Sequence, residues 1–415
     1  MAPLDSGDIV KPLEASPPLQ LSRRLIWTLA MAVGVIIMNL SAAQPLVGPI
    51  ASSIGLDASA AGLISTLPLL GYGVGLIFLV PLADLLENRS LILATQAGAV
   101  LFAIATAAIT APAPFLIALF LLGAACCSIQ MMVPLAASMA PPEARGRVVG
   151  DVMSGVMVGI LLSRPMASLI ADAFGWRAFY ALSAALMAAL ILLMARSLPM
   201  RRPYRELSYP ALLRTLWDLL RREPVLRLRS FTAACGLGAF SAFWTAIALR
   251  LTQAPFGLDQ RGIAVFALVG ATGAFVAPIA GRAGDRGLSF PATVFAHGMI
   301  VIGFGVAALG GAGTGGGWLV HLLLLALAAA CLDIGVIGEQ TIGRRAINLL
   351  TPEARGRLNG LFVGLFFIGG AIGAGGAGLA WSESGWLAVC ALGALFGLAA
   401  LVAHLALAKN APRQH

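Results

Sequence analysis

The chain has 415 residues, 59% of them hydrophobic and only 11% charged, with a mean hydropathy of +0.92. A soluble protein of this length carries about a quarter charged residues, so the composition excludes an ordinary soluble domain. The net charge of +9 does not mark a nucleic-acid binder, because the arginines fall between the apolar runs, where a membrane topology puts them.

Residues 1–24 are polar and Pro-containing, without the basic start and small-residue cleavage site of a signal peptide. They are expected to form a disordered cytoplasmic tail. Beyond them the apolar residues fall in runs of about 20 or more, long enough to cross roughly 30 Å of hydrocarbon as helices. Six spans are expected over residues 25–197, starting near Leu25, Ala60, Ser90, Phe115, Val148 and Trp176. Residues 198–229 form a basic central loop. Leu212, Leu216 and Leu220 line one helical face there, with Asp218 at ion-pair spacing from Arg214 and Arg222. A short amphipathic helix on anionic lipid is expected, with a solvated linker helix as the alternative. Six further spans over residues 230–408 start near Ser230, Gly262, Phe290, Trp318, Arg357 and Trp386, and residues 409–415 form a second cytoplasmic tail.

The two halves share an internal repeat. Pro142-Glu143-Ala144-Arg145-Gly146-Arg147 recurs as Pro352-Glu353-Ala354-Arg355-Gly356-Arg357, and Gly175-Trp176 recurs at the same offset as Gly385-Trp386. A repeat of this length over a membrane composition predicts an all-α polytopic protein of twelve spans in two pseudo-symmetric six-helix halves. Of the 27 lysines and arginines, an N-terminus inside leaves only Arg177, Arg250 and Arg261 in outer segments and Arg164 within a span. That asymmetry predicts both termini on the cytoplasmic side. Cys126, Cys127, Cys235, Cys331 and Cys390 lie inside apolar runs and read as core residues, not as disulfides or a metal site.

Six helices, a basic loop and six more helices resemble the major facilitator superfamily. The loop after span 2, Val80-Pro81-Leu82-Ala83-Asp84-Leu85-Leu86-Glu87-Asn88-Arg89, matches that family's G-x-L-A-D-R-x-G-R-K signature at Leu82, Ala83, Asp84 and the terminal Arg89. It lacks both glycines and the first arginine. The loop after span 8, Gly281-Arg282-Ala283-Gly284-Asp285-Arg286-Gly287, is nearer the pattern. The repeated hexapeptide stands where the family carries arginine-rich loops, after spans 4 and 10. Asn39 with Gln44-Pro45, Phe243-Trp244-Thr245 and Leu332-Asp333-Ile334-Gly335-Val336 are similar to one bacterial branch of efflux transporters.

Carboxylates at helix ends can accept backbone N–H groups or pair with arginines. Asp84, Arg89, Gly281, Asp285, Arg286, Glu143, Arg145, Arg147, Glu353, Arg355 and Arg357 are therefore expected to form a cytoplasmic gate that clasps in one state and releases in another. Simple positive-inside anchoring is the alternative.

Ionisable residues inside spans are informative, because a charge at the bilayer centre costs about 2.5–3.5 kcal/mol on insertion scales. Asp333 is the first candidate. Ile337, Gln340 and Arg344 follow it on one helical face, at i+4, i+7 and i+11. The resemblance implies that spans 1, 4, 7 and 10 line a central cavity, placing Asp333 beside the substrate, where it can bind and release protons. A structural carboxylate held permanently by an arginine is the alternative. Arg164, before Pro165 in span 5, is expected either to bind an anionic substrate or to hold a carboxylate. Gly155, Gly159 and Pro165 resemble part of an exporter motif in span 5, but its late glycines are replaced. Asn39, Gln44, Gln130 and Trp244 are expected cavity contacts. His297 is expected at the periphery, and Asp151, Asp172 and Glu339 near span ends in water.

These observations predict a secondary transporter of the bacterial inner membrane, acting as a monomer and exporting a small organic solute in exchange for protons, with no cofactor and no nucleic-acid partner. An uptake symporter is the alternative. No phosphate-binding GxxxxGK[ST] sequence is present. A polytopic membrane enzyme would need clustered catalytic groups, whereas His297, His321, His404 and His415 are scattered over four segments.

Overall fold

The structure is a computed structural model that describes residues 22–57, 59–202, 208–313, 317–350 and 354–407. Most of both expected tails, and Glu353, lie outside the described residues. Among these residues the α-helices run in the order α1 (Arg23–Ser41), α2 (Val47–Ile54), α3 (Leu63–Phe78), α4 (Asn88–Ala108), α5 (Pro112–Ala125), α6 (Ile129–Met139), α7 (Arg145–Phe174), α8 (Trp176–Ser197), α9 (Tyr209–Arg222), α10 (Pro224–Leu251), α11 (Gln260–Ala267), α12 (Gly273–Asp285), α13 (Ser289–Ala312), α14 (Trp318–Asn348) and α15 (Arg355–Leu407). Among the described residues, eleven helical segments are long and apolar enough to cross a membrane. The last, α15, has 53 residues, more than twice the length of one crossing. It breaks at Gly385, whose φ of 70 only glycine adopts freely. Counted as two, it brings the total to the expected twelve.

The repeat is visible in the backbone. Gly175 and Gly385 both take positive φ, 82 and 70, and each turns the chain into a span headed by a buried tryptophan. Trp176 donates to Ser53 Oγ at 2.9 Å, and Trp386 donates to the Ala307 carbonyl at 2.8 Å. The helix crossings repeat as well. Gly155 and Gly159 of α7 sit where any side chain would run into the Ala30 and Gly34 carbonyls of α1. Gly369 and Gly373 of α15 meet Ala234 and Gly238 of α10 in the same manner. Without a hydrophobic drive between helices in lipid, such close backbone contact supplies the dispersion that holds them. Gly155 and Gly159 are thus packing residues of this crossing.

The two halves meet along α3 and α15, where Gly62 lies against Gly378 and Gly73 against Gly364. They meet again between α7 and α11, where Arg261 Nε donates to Asp172 Oδ2 at 2.6 Å. Asp172, expected near a span end in water, is partly exposed there and gains this largely exposed arginine from the other half. The amphipathic helix is present as α9, but its leucine face does not lie on lipid. Leu212 and Leu216 are buried against the protein, and Arg357 of α15 donates to Thr215 at 3.2 Å.

Candidate transport site

A cavity of about 990 Å³ lies between α7, α10, α12, α14 and the start of α15. It runs from Arg164 and Asp333 in the middle of the bundle to Arg345, Asn348 and Arg355 at the arginine-rich face. At the opposite face the Asp172–Arg261 bond and the Gly62–Gly378 contact join the halves. The cavity is therefore open toward the arginine-rich face and closed toward the other.

Asp333, Ile337, Gln340 and Arg344 all line this cavity, because their spacing puts them on one wall of the long helix α14. Asp333 is 2% exposed. Its Oδ2 accepts from Thr272 Oγ1 at 3.2 Å, and the Gly273 N–H also donates to the carboxylate. Span 8 makes this possible by changing course: residues Leu268–Thr272 wind as a 3₁₀ turn between α11 and α12. The turn presents Gly270 and Gly273, where an added side-chain carbon would already stand 3.7 Å from Asp333 Oδ2.

Arg164 is 5% exposed and faces the same cavity from α7. No ion pair joins it to Asp333. Its Nε donates to Gln44 Oε1 at 2.8 Å. The guanidinium stacks on Trp244 at 4.4 Å and faces Phe240 at 5.2 Å from the ring centroids, a geometry that favours a cation over an aromatic face. Gln44 does not sit within a helical span as expected. It lies in the buried turn between α1 and α2, next to Pro45, which has no N–H to continue a helix. That turn aims the amide at Arg164. Gln44 and Trp244 thus stand behind Arg164, and Gln340 lines the cavity directly.

Two expected cavity residues lie elsewhere. Asn39 Oδ1 accepts from Ser183 Oγ of α8 at 3.0 Å, and its amide donates back to the Val35 carbonyl at 3.1 Å. It is fully buried and ties spans 1 and 6 together, because it falls on the face of α1 turned from the cavity. Gln130 lines a separate cavity of about 470 Å³ with Asp84 and Arg357, and donates to Tyr72 Oη at 3.5 Å.

Of the expected gate residues, Asp84 of the first half and Arg357 of the second face each other along one cavity without a direct ion pair, and the bonds the others make stay within their own half. Asp285 pairs with Arg345 at 3.1 Å, both within the second half. Arg89 donates to the Ala195 carbonyl, Arg145 to Ala140 at 3.4 Å, and Arg355 to Asn348 at 3.0 Å. Asp84 faces the second cavity along with Arg201 and Arg357. Arg147 lines a surface pocket beside Arg23. Glu143 sits in the 3₁₀ turn before α7, Gly281 within α12 and Arg286 at its end. The helix-end carboxylate that binds most backbone is Glu87: it accepts from the N–H groups of Arg89 at 2.9 Å, Ser90 at 2.8 Å and Arg201 at 3.1 Å.

A second polar site was not anticipated. Glu339, expected near water, is 1% exposed. It accepts from Thr232 at 2.6 Å, stands 3.2 Å from His297 Nε2 and lies 3.9 Å from Arg229. His404 packs edge-on against His297 at 5.7 Å. Spans 7, 9, 10 and 12 are cross-linked here. The burial follows from helix length: α14 continues to Asn348, nine residues beyond Glu339, so its carboxylate is well inside. The missed signal was the absence of any proline before Pro352, a lone Gly343 being tolerated within a helix.

A sequence model of the Major Facilitator Superfamily matches residues 29–342. The chain belongs to the Major Facilitator Superfamily. A protein of Escherichia coli O157:H7 named uncharacterized transporter YgaY is 36% identical over 388 residues, covering 93% of this chain and 96% of its own. The probable transporter SCO4007 of Streptomyces coelicolor is 30% identical over 383 residues, covering 92% and 87%. Among solved structures, a bacterial homolog of the human lysosomal transporter Spinster, in an inward-facing and occupied conformation, superposes with a TM-score of 0.71 at 13% identity, covering 95% and 98%. A peptide transporter POT in complex with sulfate gives 0.71 at 16%, covering 94% of each chain, and the nucleoside transporter NupG 0.69 at 14%, covering 92% and 98%. At these identities the superfamily structures share the fold alone. Membership makes this chain a multi-pass membrane transporter.

Proposed function

We propose that this superfamily member is a proton-coupled secondary transporter that moves a small organic solute by alternating access. The observation that carries the proposal is Asp333, a carboxylate in mid-span at the inner end of a cavity open to one face only. A carboxylate so placed meets water from one side and then the other as the halves rock, which proton coupling requires. With the arginine-rich face taken as the cytoplasmic side of the inner membrane, the conformation described is open inward, and the first span begins and the last ends on that side. Arg355 then lines the open mouth, and Asp84 and Arg357 line the neighbouring cavity; in this reading they close that face in the opposite state while the Asp172–Arg261 bond breaks.

The direction of transport follows from the solute's charge. A cation competes with the proton for Asp333, giving exchange and hence the export expected from the sequence. An anion is favoured when Asp333 is protonated, giving co-transport. The test is flux into proteoliposomes under an imposed pH gradient, over a panel of cationic, neutral and anionic solutes. Flux of at least one compound that collapses with a protonophore supports the proposal. Flux that is indifferent to the gradient for every transported compound refutes it.

A further inference from the structure

Among the described residues three arginines are buried, and they are wired in different ways. Arg250 donates to the Gly311 carbonyl at 2.9 Å and the Ala254 carbonyl at 2.7 Å, and lies over Phe256. Arg229 donates to Thr293 at 3.1 Å and faces Glu339. Both are built into the fold. Arg164 makes one hydrogen bond, through Nε to Gln44, and no carboxylate pairs with it among the described residues. Both terminal nitrogens keep their donors unmatched by protein acceptors and face the cavity. Gln44 and the rings of Trp244 and Phe240 meanwhile fix the guanidinium plane.

The charge around it points the same way. Arg344 lines the cavity as well, and its Nε is buried without a partner. Arg345 is neutralised by Asp285. Among the described lining residues the opposing charge is Asp333 alone. An arginine excess in a low-dielectric cleft focuses a positive field on whatever enters. Beside Arg164 the walls are Met157, Ile160, Leu161 and Phe240, which suit an apolar body. The volume falls within the roughly 300–1,000 Å³ of small-molecule sites.

We infer that the transported solute is an amphipathic organic anion, whose carboxylate-like head binds the terminal nitrogens of Arg164 and whose apolar body lies along α7 and α10. The inference rests on the cavity being the transport site. It also sets the sign of coupling. The groups facing Asp333 are Arg164 from α7, Phe240 and Trp244 from α10, and Thr272 and the Gly273 N–H from span 8; Arg344 lies on the same wall about 16 Å along the helix. Ionised, Asp333 repels the incoming head; protonated, it does not. Proton and anion therefore bind together, and by linkage each strengthens the other. Co-transport follows, in place of exchange.

Equilibrium binding to the purified full-length protein in detergent tests this without any gradient. The probes are matched phenylalkyl carboxylates, alcohols and amines of increasing chain length, read by calorimetry. A charge-assisted pair is worth about 1.5–3 kcal/mol, so the carboxylate should bind roughly 10- to 100-fold tighter than the alcohol of equal length. Arg164→Gln should erase that preference, Arg164→Lys should keep part of it, and Asp333→Asn should tighten carboxylate binding. Equal affinity across the three classes, tighter amine binding, no binding by any probe, or weaker carboxylate binding in Asp333→Asn would overturn the inference. Because no flux is measured, a failure of proton coupling leaves this result standing. Gradient-driven amine flux would instead sink the anion inference alone.

Discussion

Arg164 and Arg229 are both arginines buried among membrane helices, and the fold treats them oppositely. Arg229 sits with Glu339, Thr293, Thr232 and His297, a group that closes on itself across spans 7, 9 and 10. Arg164 is held in place by an amide and two rings on the wall of a cavity, with Asp333 facing it but no carboxylate bonded to it. A buried charge compensated inside the fold is architecture. One left without a bonded carboxylate at a wet surface is available for chemistry, because its terminal donors are matched only when something binds.

Substitutions can break or sharpen that contrast. Glu339→Ala should have the largest effect on stability, about 3–5 kcal/mol, since it strands the Arg229 charge in the bundle. Unfolding in mixed detergent measures it, and the Arg229→Ala/Glu339→Ala double variant should regain part of the loss. Arg164→Ala should do the reverse: unfolding little changed, but solute binding weakened by about 1.5–3 kcal/mol, roughly 10- to 100-fold in counterflow. If the two variants show the same profile, the distinction fails. Asp172→Asn removes an ion pair whose arginine is well exposed, and such pairs are worth about 0.2–1 kcal/mol. It should shift the balance toward outward opening only several-fold, seen as faster labelling of a cysteine at the closed face.

The smallest effect concerns Glu87. Burial works against its carboxylate, but the Ser90 hydroxyl and N–H and the Arg89 and Arg201 N–H groups outweigh it, holding the group at about 2 against an ordinary 4.5. Its folded value is the lower one. Its contribution to stability is thus present above about pH 4.5 and lost as pH falls toward 2. Comparing Glu87→Gln with the parent from pH 6 to pH 2 should show a small difference that disappears at the acid end.

Much of the architecture was legible because it is periodic. The duplicated hexapeptide and the Gly-Trp pair carry the two halves, and the 3.6-residue stripe Asp333-Ile337-Gln340-Arg344 predicts one cavity wall. What escaped depends on contacts far apart in sequence. Asp172 and Arg261 stand 89 residues apart and meet only because the halves close at one face. Asn39 looked like a cavity residue, but the rotation of α1 turns it to Ser183. Gln44 looked helical, yet its use comes from the Pro45 turn. Glu339 was misplaced because an apolar run marks where a membrane can lie, not where a helix ends; α14 continues well past it. The export direction is a separate matter. It depends on solute charge, which the arrangement of Arg164 beside Asp333 addresses and the helix count does not.

The most direct test compares Asp333→Asn with the parent protein in proteoliposomes, measuring solute flux driven by a pH gradient and solute counterflow without one. Gradient-driven flux should vanish in the variant while counterflow persists, since the solute still binds and the halves still exchange. Gradient-driven flux that survives in Asp333→Asn at the parent rate would contradict proton coupling through this carboxylate.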